Sequence, residues 1–123
     1  MNDMPLTPAE REAFALEIID WLREREMWQD VAIYTNGKCW STSNKEQNEF
    51  RYNGEPFVTE NEDPRKHFEY VREPNILSMS FEGPLYDLLN YGFGNWETEF
   101  NKLFEKRGLY FELGNYWNLT ACN

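Results

Sequence analysis

The side chains in this sequence best suited to chemistry are carboxylates. Glu17, Asp20 and Glu24 recur at steps of three and four, and Glu10 stands one heptad before Glu17. On a helix, side chains at such steps lie on one ridge with Cβ atoms about 5–6 Å apart. A second acidic stretch, residues 55–63, contains Glu60, Glu62 and Asp63, and no base falls between Arg51 and Arg65. Rows of carboxylates can imitate a nucleic-acid backbone and attract a basic protein surface, speeding the encounter with it. The plain alternative is a solvated acidic face that keeps the chain soluble. Trp40, Tyr52, Tyr116 and Trp117 are the aromatics not required for helix stripes. They read as candidate anchors, because a few aromatic side chains supply most of the grip of an interface.

Other chemistries find little support. His67 is the only histidine, in a polar run beside Arg65 and Lys66. A general base needs a partner and a pocket, and a surface histidine is the simpler reading. One histidine and two separated cysteines cannot compose an ordinary zinc site. Glu60-Asn61-Glu62-Asp63 lacks the ligand spacing of a calcium loop. Cys39, Ser78 and Ser80 fall on expected strands, with no nucleophile-bearing turn. Gly92 and Gly94 precede a helix, but Glu97 and Glu99 in its first turns would repel a phosphate. The expected cofactor and metal complement is therefore none. A pair of carboxylates across an aromatic cleft remains the alternative that would make the protein a small-ligand binder or an enzyme.

Composition narrows the setting. The chain has 123 residues, with 12 Lys and Arg against 22 Asp and Glu, a formal charge of −10. Phosphate affinity comes from cationic side chains, so direct nucleic-acid binding is disfavoured. Aromatic residues are 17% of the chain, far more than disordered segments carry. No apolar run approaches the roughly 20 residues that span a bilayer. The N-terminus has no basic segment followed by an apolar one, which points to a cytoplasmic protein with free thiols at Cys39 and Cys122. The sequence does not give the separation of those two cysteines, so a pairing between them stays open.

The elements that must carry these residues are legible from periodicity. Thr7-Pro8-Ala9-Glu10 is a helix-start signature, and Phe14, Ile18, Trp21 and Leu22 form a stripe behind it. That predicts a helix over residues 8 to about 27. Residues 31–35 and 38–42, joined by Asn36-Gly37, read as a hairpin. Residues 50–52 and 57–59 around Asn53-Gly54 read as a second hairpin, with Pro56 suggesting a sheet edge. Residues 68–71 read as a short strand. Residues 75–81 read as a strand in which Ile76, Met79 and Phe81 alternate and Leu77 breaks the period. Helices are expected over 85–91 and 96–106, the latter on a stripe of Trp96, Phe100, Leu103 and Phe104, stopped by Gly108. Two closing strands, 109–113 and 116–120, flank a Gly114-Asn115 turn. The sum is one α+β domain over residues 1–123, a mostly antiparallel sheet with about three helices on one face.

Ser80-Phe81-Glu82-Gly83-Pro84-Leu85-Tyr86-Asp87-Leu88-Leu89-Asn90 and Gly108-Leu109-Tyr110-Phe111-Glu112-Leu113-Gly114 make the C-terminal half resemble small acidic uncharacterised proteins carried on bacterial mobile elements. The resemblance implies a setting in which acidic anti-defence proteins are common, and it transfers no site residue. The expected function is a non-enzymatic acidic binding protein directed at a basic protein partner, of the inhibitor, nucleic-acid-mimic or toxin-immunity type. A structural subunit of a homo-oligomer, sealing exposed aromatics at a symmetric interface, is the third reading.

Overall fold

The computed structural model describes residues 6–44, 46–66, 76–92, 94–115 and 117–122. Helix α1 (Pro8–Glu24) begins as its sequence dictates. The Thr7 hydroxyl accepts from the Glu10 N–H at 3.1 Å, and the Glu10 carboxylate accepts from the Thr7 N–H at 3.0 Å. This reciprocal pair satisfies two donors that the first turn would otherwise leave open. The helix ends before residue 27. Glu26 takes a left-handed φ of 57°, its N–H bonds the Arg23 carbonyl, and the Met27 N–H bonds the Leu22 carbonyl. That is the closing geometry usually supplied by glycine. With a glutamate in the left-handed position, the sequence carries no visible stop.

Strands β1 (Val31–Thr35) and β2 (Lys38–Ser41) form the expected hairpin, with Asn36 and Gly37 both at positive φ. The second hairpin does not form as read. Residues β3 (Ser43–Asn44) and β4 (Glu49–Phe50) make a two-residue ladder with each other, and β5 (Phe57–Glu60) pairs with β2. Asn53 explains the difference. Its N–H bonds the Trp28 carbonyl at 2.8 Å, and its side-chain oxygen accepts from the Trp28 N–H at 3.0 Å. Asn53 still turns the chain, at φ 59°, but its bonds clamp the loop to the segment after α1 and no strand pair flanks it.

Strand β6 (Leu77–Phe81) lies between β1 and β8 (Asn118–Cys122), and β7 (Tyr110–Asn115) closes the far edge. The six strands run antiparallel throughout in the order β5-β2-β1-β6-β8-β7. Leu77 is in phase with Met79 and Phe81 on the core face, and it is Ile76 that lies outside the strand. The β7–β8 register shifts between Leu113 and Asn115, so Gly114 falls at a bulge within β7 and not in the turn. Residues 68–71, and His67 before them, lie outside the described residues.

Helices α2 (Gly83–Tyr91) and α3 (Asn95–Glu105) complete the α+β fold. Gly108, at φ 74°, closes α3 as expected. Phe14, Ile18 and Leu22 of α1, Leu85 and Leu88 of α2, and Phe100 and Phe104 of α3 share one core with Ile33, Met79, Phe81 and Leu119 of the sheet. Phe14 meets Phe104 edge to face at 5.0 Å, and Trp21 meets Phe100 at 5.5 Å. Trp96, expected in that stripe, is exposed. All three helices thus cover one sheet face. The opposite face carries Ala32, Tyr34, Cys39, Ser41, Ser78, Ser80, Asn118 and Thr120, of which Tyr34, Cys39, Ser78, Asn118 and Thr120 are buried. Cys39 and Cys122 are buried and form no disulfide. They lie three strand steps apart, about 14 Å, well beyond disulfide reach.

Candidate functional site

The acidic ridge of α1 borders a groove of about 540 Å³ between α1 and α3. Glu17, Asp20 and Glu24 line it, as the helical spacing required, together with Ala13, Leu16, Trp21, Leu103 and Arg107. Leu16 is 47% exposed although it lies on the wall of this groove. The three carboxylates are not equivalent. Glu17 is bonded to Lys106 and, at 3.3 Å, to Arg107. Glu24 lies 3.6 Å from Arg25, whose guanidinium turns mainly to Glu99 at 2.9 Å and stacks over the Trp21 ring at 4.2 Å. Asp20 has no cation within ion-pair distance among the described residues. Glu10 does not extend the ridge: its carboxylate closes the N-terminal cap, which also holds it below the usual carboxylate range.

The second acidic stretch is dispersed. Glu60 is exposed on the edge strand β5, opposite Lys38 in register, while Lys38 itself pairs with Glu12 at 3.2 Å. The Glu62 N–H bonds the Gly37 carbonyl. Asp63 accepts from the Arg65 N–H at 2.9 Å and pairs with the Arg65 side chain, and these contacts hold its carboxyl low. Glu62 and Asp63 line a cleft of about 270 Å³ together with Arg11 and Arg65. Acids and bases therefore alternate there, and no row of unopposed carboxylates results.

The aromatic anchors separate sharply. Trp40 is only 5% exposed, because its register opposite Ile33 turns it into the helix-covered core, so it is no surface anchor. Tyr116 lies outside the described residues. Tyr52 is 48% exposed and donates its hydroxyl to Asp30 at 2.7 Å. Trp117 is half-buried against Tyr34 and Cys39. It lines a cleft of about 300 Å³ on the sheet face opposite the three α-helices, with Asp30, Tyr34, Ser41, Ser80 and Glu82. Burial pushes the Tyr34 phenol well above its usual range, and Cys39 and Glu62 beside it add to the shift.

Spacing alone does not mark Leu16, Asp30 or Glu82 as lining a groove or cleft. Leu16 interrupts a hydrophilic ridge, and that was a usable signal. Asp30 and Glu82 meet only through strand pairing, which no spacing reveals. Among the described residues, no group of three or more His, Cys, Asp or Glu is placed to hold a metal, and no helix is long and apolar enough to cross a membrane. No family model, curated protein or solved structure matches the chain.

Proposed function

We propose that the protein acts by binding, and that the α1–α3 groove takes an amphipathic basic helix from a protein partner. The observation that carries this reading is the exposed Leu16 beside Asp20 and Glu24 in one concave strip. Apolar side chains along one helix face would cover Leu16, and flanking lysines or arginines would meet Asp20 and Glu24. A helix laid in a groove uses this division of labour: apolar contacts grip and rim charges steer. The net charge of −10 raises the encounter rate with such a partner. An inhibitor of a basic enzyme, or an immunity protein for a basic toxin, would work in this way, in keeping with the resemblance to mobile-element proteins.

The test is affinity for a helical peptide with leucines on one face and lysines on the flanks. Leu16→Asp should weaken binding by about tenfold or more, since burying a leucine is worth about 1.5–3 kcal/mol. Asp20→Asn with Glu24→Gln should slow association and flatten its salt dependence. The control Glu60→Gln should do neither. Equal effects from Glu60→Gln would mean that only net charge matters, and the groove reading would fail.

A further inference from the structure

The two ends of the α1–α3 groove differ in charge. Phe14 of α1 meets Phe104 of α3, and Trp21 further along α1 meets Phe100, which comes earlier in α3. The helices are therefore antiparallel, and the negative end of one backbone dipole lies beside the positive end of the other. The dipoles oppose each other along the groove, so side chains set its polarity. At the Ala13 end, Glu17 is answered twice, by Lys106 and by Arg107 at 3.3 Å. Two cations meet one carboxylate there, beside the exposed Leu16. At the other end stand Asp20 and Glu24, both exposed. Arg25, 3.6 Å from Glu24, is held elsewhere. It donates to the Trp21 carbonyl at 3.0 Å and to Glu99 at 2.9 Å, and its guanidinium stacks over the Trp21 ring at 4.2 Å. These contacts keep it from turning to Asp20.

From Ala13 to Glu24 the groove runs about 16 Å, or three turns of a partner helix. A helix with cations along its whole length would set some of them against Lys106 and Arg107, and like charges across an interface are penalised. A helix with cations at one end avoids that clash. We propose that the groove selects helices whose lysines or arginines gather at one end, and seats that end over Asp20 and Glu24 with the uncharged end over Ala13 and Leu16. The order of charges, not the chain direction, then decides which way round a partner lies. This inference rests on the groove reading above and adds to it which basic helices fit.

Two peptides of identical composition test it on the full chain labelled with nitrogen-15. Each is a four-turn helix with leucines on one face and a nitroxide at its N-terminus, and its three lysines lie in either the first or the last turn. A nitroxide broadens the signals nearest to it. With lysines in the first turn, the Glu24 amide and the Trp21 indole should broaden more than the Ala13 amide. With lysines in the last turn, that order should reverse. Asp20→Asn with Glu24→Gln should erase the difference between the peptides, and both substitutions fall on exposed side chains. A third peptide with its lysines spread evenly should bind about threefold more weakly than either. Broadening of the same end by both peptides, equal broadening of both ends, or equal affinity of the third peptide would overturn the inference and leave the groove reading standing. Absence of broadening along the groove with either peptide would overturn the groove reading itself, and this inference with it.

Discussion

At the scale of single residues, Thr7 and Glu10 show how a short motif becomes geometry. The cap was legible because both partners lie within one turn of sequence. Thr7→Ala should cost about 1 kcal/mol in chemical denaturation. The pH dependence follows from the same bonds. Glu10, Glu12 and Asp63 have carboxyls held below their ordinary values, by Thr7, by Asn36 and Lys38, and by Arg65 respectively. A depressed folded-state value gives stability that is fully present above the unfolded value and is lost as pH falls through the folded one. Stability should therefore decline as the solution is acidified below about pH 4. Glu10→Gln should flatten that decline, as thermal melts across the range would show. A steeper decline in the variant would contradict the assignment. Other residues were legible in type but not in place. Trp40 alternates like any strand residue, and only pairing with Ile33 decides that it points inward.

At the scale of elements, what a sequence shows depends on where each hydrogen bond closes. The β1–β2 hairpin closes locally through Asn36-Gly37 and was readable. Asn53-Gly54 has the same composition, but Asn53 spends its bonds on Trp28, 25 residues away. Composition cannot separate the two cases. Asn53→Ala removes the side-chain acceptor and places an unfavourable residue at φ 59°. It should destabilise the protein by about 1–3 kcal/mol, because the Trp28 N–H is left without its acceptor. Little loss in denaturant melts would mean the clamp is incidental. The ends of the helices follow the same rule: Gly108 announced its stop, whereas Glu26 performs a glycine's task without its signature.

At the scale of the whole molecule, the antiparallel sheet and the one-sided helix layer followed from the order of elements. The sites did not, because grooves and clefts arise where distant segments meet. The acids of α1 share a helix and were readable as a row, yet Glu17 is answered by Lys106 and Arg107, some 90 residues on. The surplus charge of −10 still acts on the folded state through self-repulsion. Raising ionic strength from about 0.01 M to about 0.15 M shortens the screening length from about 30 Å to about 8 Å. The melting temperature should rise over that range. A fall would show that attractive pairs such as Arg25–Glu99 outweigh the repulsion.

The most direct test of a partner-binding groove is a chemical-shift footprint of the basic amphipathic peptide on the nitrogen-15-labelled chain. The account predicts shifts confined to Ala13, Leu16, Asp20, the Trp21 indole and Leu103. Shifts spread evenly over the acidic surface, or concentrated away from α1 and α3, would contradict it.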